Sequence, residues 1–593
     1  MSHPGNDVLR VANCSGFFGD RLSAAREMVE GGPVDVLTGD WLAELTMLIL
    51  ARQRLKHGAG SGYARTFLTQ LEQVLGTCLD RGITVVSNAG GLDPAGCAEA
   101  LHELAERLGL HPRIAHVTGD DVMDRLDQVR PFDDPDGAPL ADQGARPLTA
   151  NAYLGAAGIA AALAAGADVV VTGRVTDASL VVGPAAHRFG WRLDGEHDLD
   201  QVAGAVVAGH VLECGAQATG GNYAFFEEVP SPEHVGFPLA EISADGSSVI
   251  TKHPGTGGLV SVGTVTAQLL YEIGAPAYPG PDVVAHFDTI ALEQQGPDRV
   301  RISGVRGTPP PADLKVSVSI LGGFRNTLTL VLTGLDLDAK AALVQRQLAD
   351  VLAAVQQADV RRRPVQDGEE LRITVKDPDP AKVGKPFTAR VVELALASYP
   401  GFFPTTPPGE PTPYGVFVPG RIPAAAVPQH VHLDGNLVAT LAPTPTPIPP
   451  LRDHAEMAQR EDASAPTARH FCMITEEVRG VDLGRVFGAR SGDKGGDANV
   501  GVWGRTDEAY AWLAQFLTAE RVPDLLPETA GHEVEVHQLP NLRAVNVVVR
   551  GLLGRGVAEN SLVDPQAKAL GERLRAFVVE LPEPLLDRSG WSP

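Results

Sequence analysis

AAGIAAALAAGADVVVTGRVTD, residues 156–177, carries a helix, the strand it feeds and a polar loop in one run. Alanine and glycine up to Gly166 suit a helix buried on several sides, and Asp168 stops the run short of the roughly 20 apolar residues a membrane span needs. Asp168-Val169-Val170-Val171-Thr172 then reads as a short buried strand, with Gly173-Arg174-Val175-Thr176-Asp177 beyond its carboxyl end. The pattern recurs upstream. VLRVA runs into Asn13-Cys14-Ser15-Gly16-Phe17-Phe18-Gly19-Asp20, and VDVLT into Gly39-Asp40-Trp41. ITVVS runs into Asn88-Ala89-Gly90-Gly91-Leu92-Asp93, and RIAHVT into Gly119-Asp120-Asp121. Strands alternating with helices predict an α/β fold with a mainly parallel sheet.

In open α/β sheets, ligands bind outside the carboxyl ends of the strands, where loops and helix N-termini converge. A Gly-Asp after a strand is by itself a common turn and helix cap, but five in one sheet point to a shared site. Asp40, Asp93, Asp120 and Asp177 are therefore candidate bases or metal ligands, and Arg174 a carboxylate or enolate holder. Asn13, Ser15, Gly16, Asn88, Gly90 and Gly91 are candidate substrate contacts on the same loops. No loop matches G-x-x-x-x-G-K-[ST] or G-x-G-x-x-G, which disfavours a kinase or dinucleotide enzyme.

Three further segments carry chemistry. ECGAQATGGN offers Cys214 as a nucleophile and Asn222 as a substrate contact, although lone cysteines are usually packing residues. Lys252-His253-Pro254-Gly255-Thr256-Gly257-Gly258, ahead of a helix-like run, reads equally as a phosphate or oxyanion cradle and as a tight turn. Arg490-Ser491-Gly492-Asp493-Lys494-Gly495-Gly496 joins two strands and has more charge than a hairpin needs, so Arg490, Ser491 and Lys494 are candidate contacts completing the first domain's site. His430-Val431-His432 has a metal-like spacing, but two ligands do not make a site, and QHVHLDGNLVAT reads as an edge hairpin with an Asp-Gly turn.

The totals bound the rest. With 593 residues, two or three domains are expected, and a net charge of -24 argues against nucleic acid or anionic membranes as partners. Five scattered cysteines without a C-x-x-C pair suggest neither a disulfide framework nor a thiolate zinc site. The N-terminus lacks a basic start and an apolar core, so a cytoplasmic location is expected. ATLAPTPTPIPPLRD and the charged stretch after it mark a linker over 451–475, separating a domain of 1–450 from one of 476–593, with a possible sub-boundary near 220. KVSVSILG followed by NTLTLVLTG adds strand-like alternation to the large domain. The last region reads as a small α+β domain ending in a helix near PQAKALGERLRAFVVEL.

NCSGFFGDR, TGDWLAELT, SNAGGLDP, VTGRVTDASL, ECGAQATGGN and ARSGDKGGDANVGV, in this order, resemble the acyclic terpene utilisation AtuA family along nearly the whole chain. The resemblance implies a ferredoxin-like C-terminal domain and a role in citronellol and geraniol breakdown through branched acyl-CoA intermediates. A lyase cleaving 3-hydroxy-3-isohexenylglutaryl-CoA is one role it implies, and no catalytic residues come with it. The first functional expectation is thus a carbon–carbon lyase or hydratase acting on an acyl-CoA. A non-catalytic acyl-CoA-binding or scaffold subunit is the alternative, and phosphate-ester hydrolysis a third. No cofactor is evident, a divalent metal (Mg or Mn) fits such chemistry, and the expected partners are a small-molecule substrate and further copies of the chain.

Overall fold

The computed structural model describes residues 8–134, 136–143, 147–442 and 478–588; the expected linker lies outside these. The five strands that end in polar loops, Val8–Asn13, Val36–Gly39, Thr84–Ser87, Val169–Thr172 and Ile114–Thr118, are neighbours in that spatial order, and all four pairings are parallel. Their loops therefore leave the sheet at one edge. Right-handed crossovers through helices such as Arg65–Arg81 and Pro94–Leu108 connect strands of this kind, because a parallel pair cannot be joined by a tight turn.

The whole sheet is mixed, which corrects the expectation of a mainly parallel one. It has eleven strands, and four of its ten neighbouring pairs are parallel. Pro238–Ser243 and Ser248–Lys252 add antiparallel beside Val8–Asn13, followed by Arg299–Ser303 and Ala291–Gly296. Gln429–Leu433 and Asn436–Leu441 close the other edge as the expected Asp-Gly hairpin, with Asp434 at φ 48° and Gly435 at φ 79°. Two-residue turns of this type force antiparallel pairing. Which older strand such a hairpin joins is decided hundreds of residues away, and local patterning does not carry it. Strands on both sides of residue 220 share this sheet.

A second sheet is organised by one strand of 21 residues, Asp313–Thr333. The two strands read from KVSVSILG and NTLTLVLTG are one. Its first part pairs with Pro147–Ala152 and Thr412–Pro423, its second with Gly368–Asp377. Gly322-Gly323, which looks like a turn, is a bulge: the register shifts between Leu321 and Gly323 and the strand continues.

The C-terminal region forms a four-stranded antiparallel sheet in the order Gly488–Lys494, Asp497–Trp503, Ala544–Val549, Val534–Leu539. Every residue of Ala544–Val549 is buried, as a central strand requires. The expected final helix is short, Leu570–Arg575; Val578–Pro582 is instead a strand paired with Val478–Asp482. Its alternating burial, Val579 and Leu581 in and Val578 and Glu580 out, explains why period 2 wins there.

The helix Leu199–Leu212 is buried at every position from Val202 to Leu212, a consequence of its Ala, Gly and Val content. It carries His210 into the interior and delivers Glu213 and Cys214 to the carboxyl edge of the sheet, where Gly16 packs against the Cys214 backbone: a Cβ at Gly16 would stand 2.5 Å from the Cys214 carbonyl carbon.

Candidate functional site

The loop ends knit together through their own polar groups. The Asn13 side chain accepts from the Ser15 N–H at 2.9 Å, and the Ser15 carbonyl accepts from the Asp40 N–H at 2.9 Å. Asn88 Nδ2 donates to Asp40 Oδ1 at 2.6 Å, while Asn88 Oδ1 accepts from the Trp41 N–H at 2.8 Å. The Asp40 carboxyl is pushed well above the usual range by burial and by the nearby charge of Asp177, against the opposing pull of Arg174 and Asn88.

Arg174 is the hub. Its Nη1 donates to the Leu42 carbonyl at 2.7 Å, its Nη2 lies 3.4 Å from Asp177 Oδ1, and its guanidinium sits 4.4 Å from the centre of the Tyr153 ring. Asp120 supports it from behind, accepting from the Arg174 N–H at 2.9 Å and from Asn151 Nδ2 at 2.8 Å. Burial raises Asp120 to about 6. On the other face of the hub, Tyr153 Oη donates to Glu44 Oε1 at 2.8 Å, and Lys315 Nζ stands 3.8 Å from the same oxygen and 4.8 Å from the Tyr153 ring centre. Burial would raise Glu44, but Lys315, Arg174 and the Tyr153 hydroxyl overcome it and hold the carboxylate down at about 2.

A second bank faces this one. His210 Nδ1 lies 3.2 Å from Glu213 Oε1, and burial, reinforced by Lys494, holds the imidazole down at about 4. Glu213 is raised by burial and then by Asp177 and Glu272. From the C-terminal domain, Lys494 Nζ donates to the Glu272 carbonyl at 2.7 Å, and Arg490 bonds the Gln217 side chain while stacking 4.4 Å from the Tyr271 ring centre. Asp493 is raised to about 8 by burial and by Glu272 and Glu44. Glu44, Asp177, Glu213, Glu272 and Asp493 are half-buried and Lys494 exposed, although protein surrounds all of these but Asp177 closely. They line a recess between the two domains and not a packed core.

The sequence candidates divide accordingly. Asp40, Asn88, Arg174 and Asp177 come together, with Cys214, Arg490 and Lys494 across from them. The thiol of Cys214 is driven up by burial and by Glu213 and Glu272, which favours the protonated thiol over the thiolate. Asn222 takes part through its carbonyl, 3.5 Å from Arg490 Nη1. Asp93 is a helix cap: its Oδ1 accepts from the Gly96 N–H at 3.0 Å. Gly90 lies where a Cβ would stand 2.5 Å from the Thr172 carbonyl oxygen, so it serves strand contact.

The expected cradle at 252–258 is filled by the chain itself. Lys252 Nζ pairs with Asp298 at 3.1 Å and donates to the Thr256 carbonyl, His253 Nε2 bonds the Met28 carbonyl at 2.8 Å, and Gly257 and Gly258 abut the backbone at His234 and Thr219. Ser491 Oγ donates to the Ala567 carbonyl at 2.6 Å and accepts from the Gly571 N–H at 2.9 Å, tying down the start of the helix Leu570–Arg575. His432 stacks on His116, ring centres 4.6 Å apart, and among the described residues no group of three or more His, Cys, Asp or Glu is placed to hold a metal ion. Among the same residues no helix is long and apolar enough to cross a membrane.

Sequence reasoning missed Glu44, Tyr153, His210, Glu272 and Lys315 as site residues. Glu44 was within reach, four residues beyond Asp40 in the first turn of Glu44–His57. Tyr153 and Lys315 meet through the register of two strands far apart in the chain, the Tyr153 N–H donating to the Lys315 carbonyl at 2.9 Å, and nothing local announces that.

Comparison with known proteins agrees with this two-part architecture. The model of the acyclic terpene utilisation family protein AtuA matches residues 9–433, and that of the AtuA ferredoxin-like domain matches residues 481–580. No curated protein and no solved structure gives a significant match. The chain belongs to the AtuA family, which is associated with acyclic terpene utilisation, and its C-terminal domain is the family's ferredoxin-like domain.

Proposed function

We propose that the recess is the active site of a lyase that cleaves a branched 3-hydroxyacyl-CoA, 3-hydroxy-3-isohexenylglutaryl-CoA being the type that fits the family's role. The observation that carries the reading is the facing of two carboxyls, Asp40 and Asp177, with two cations, Arg174 and Lys315, that both sit against the Tyr153 ring. Cleavage of a 3-hydroxyacid needs a base for the hydroxyl proton and a positive group for the enolate that departs. Asp177 takes the proton, the bond from carbon 3 to carbon 2 or to carbon 4 breaks, and its electron pair moves onto the carbonyl oxygen of the leaving fragment beside Arg174 or Lys315. A proton then returns to carbon. A cut beside the free carboxylate releases acetate; a cut beside the thioester releases acetyl-CoA.

The test is to incubate purified protein with the branched 3-hydroxyglutaryl-CoA and separate the products. A 3-oxo product with acetate or acetyl-CoA supports the lyase. An unsaturated thioester identifies a hydratase using the same carboxyls, and binding without turnover leaves the chain as an acyl-CoA-binding subunit. The loop at 252–258, one of the glycine loops that suit a phosphate ester, has its own cation and imidazole engaged by the chain, which weighs against the phosphate-ester reading.

A further inference from the structure

We propose that Glu272 is a catalytic carboxyl of this site and that the ferredoxin-like domain exists in the chain to hold it there, with Asn499 as the positioning residue. The proposal rests on the lyase reading above. Glu272 follows the helix Val262–Leu269 in a tight bend and adopts φ 57°, the left-handed region that is unfavourable for an ordinary residue. Glycine would fit this position better. The bend is held from outside: the Glu272 N–H donates to Asn499 Oδ1 at 3.0 Å, and the Glu272 carbonyl accepts from Lys494 Nζ at 2.7 Å. Asn499 Nδ2 also donates to the Leu270 carbonyl at 2.7 Å, and Asn546 Nδ2 to the Gly274 carbonyl at 2.7 Å. Four hydrogen bonds from the second domain thus clamp five residues of the first. Gly492 allows the approach, since a Cβ there would stand 2.5 Å from the Tyr271 ring.

With its backbone engaged, Glu272 keeps its carboxyl for the recess, where it interacts with Tyr271, Lys494, Glu44 and Asp177. An independent observation marks this place as built for a ligand. His210, 1% exposed, makes no aligned hydrogen bond through either ring nitrogen, its Nδ1 meeting only the Glu213 carboxylate at 3.2 Å, and it lies within the fields of Lys494, Glu272 and Asp177. Nε of the buried Arg174 and Oε1 of the buried Gln268 lack partners as well. Unsatisfied buried polar groups are rare, and three around one recess await a polar substrate.

Burial raises the Glu272 carboxyl against the opposing pull of Tyr271 and Lys494, which favours its protonated form. In the lyase reaction it supplies the second proton step. Asp177 accepts the hydroxyl proton, the carbon–carbon bond breaks, and Glu272 gives its proton to the enolate carbon, forming the new C–H bond. The resulting carboxylate is left beside Lys494. Exchange with water then returns Asp177 and Glu272 to their starting states.

The experiment compares the full chain with Glu272→Gln, Glu272→Gly and Asn499→Ser. With the branched 3-hydroxyglutaryl-CoA, Glu272→Gln should lower kcat about a hundredfold with little change in KM and remove one limb of the pH profile. Asn499→Ser should lower kcat less and displace that limb. Glu272→Gly should melt higher than wild type while being as inactive as Glu272→Gln. Wild-type kcat and pH profile in Glu272→Gln overturn the proposal while leaving the lyase reading standing. Infrared difference spectra of the protein alone, recorded between pH 5 and pH 8, need no substrate. If wild type turns over no thioester, the lyase reading fails by itself. The proposal then survives only if Glu272→Gln removes a carboxylic-acid stretch and Glu272→Gly raises the melting temperature; an unchanged spectrum or a lower melting temperature overturns it.

Discussion

Two polar loops of this molecule, Gly173–Asp177 and Lys252–Gly258, look alike as strings: each comes at the end of a strand, contains glycine and a cation and precedes a helix. In the folded chain they are opposites. Around Lys252 every strong polar group is answered by the protein, through Asp298, Thr256 and Met28. Around Arg174 the account stays open, with Arg174 Nε buried and lacking a hydrogen bond and Asp177 Oδ1 met only by the 3.4 Å ion pair with Arg174 Nη2. A saturated loop is a structural device, whereas a buried loop with unanswered groups is poised for a ligand. Residue type and spacing do not separate the two; the hydrogen-bond partners do.

The strongest way to break this comparison is to remove Arg174. Arg174→Ala should lower turnover of the branched thioester about a hundredfold to a thousandfold, as loss of a group stabilising an oxyanion does. It should also destabilise the fold by about 3 kcal/mol, because Asp177 and Glu44 lose a buried cation. Steady-state kinetics and urea denaturation check both parts, and wild-type turnover would sink the assignment of the hub.

Next in size is a pH effect at the support behind the hub. Asp120 stands at about 6 when folded, above its unfolded value of about 4. Its folded form therefore binds a proton the unfolded chain has lost, so its contribution is full below pH 4 and disappears as pH rises past 6, about 3 kcal/mol in all. His210 runs the other way: held at about 4 against about 6.5 unfolded, it weakens the fold as pH falls between those values. Asp120→Asn should remove the first dependence and keep the second. Denaturation midpoints from pH 4 to pH 8 that are parallel for the two proteins would refute this.

A smaller effect is expected from Asn88→Ala, which deprives Asp40 of its 2.6 Å donor and should cost about 1–2 kcal/mol of stability, read as a lower melting temperature. The smallest belongs to the saturated loop. Lys252→Met should cost about 1 kcal/mol, since Asp298 is partly exposed and water replaces its partner, and kcat/KM should stay within about twofold. A large kinetic loss there would mean the two loops are not opposites after all.

Several features were legible before folding. The five strand-and-loop units from VLRVA to DVVVT occupy adjacent places in the sheet, and their loops do gather at one edge. Asp40, Asn88, Arg174 and Asp177 were readable for that reason: each lies in the loop that follows a strand, so strand direction brings it to the carboxyl edge. Asp93 and Lys252 satisfy the same rule, yet the fold engages them as a helix cap and in an ion pair, because a cap and a turn use the same residue types as a site.

What the chain alone determined is local: period-2 and helical patterning, the Asp-Gly hairpin, the glycines that end strands, and the family motifs. Tertiary structure decided the rest. The edges of the central sheet, the single long strand Asp313–Thr333, the meeting of Tyr153 with Lys315 and the clamp on Glu272 all depend on contacts between distant segments. Local patterning reports which face of an element is apolar and where it ends. Pairing partners and hydrogen-bond satisfaction are properties of two segments together, so neither can be read from one.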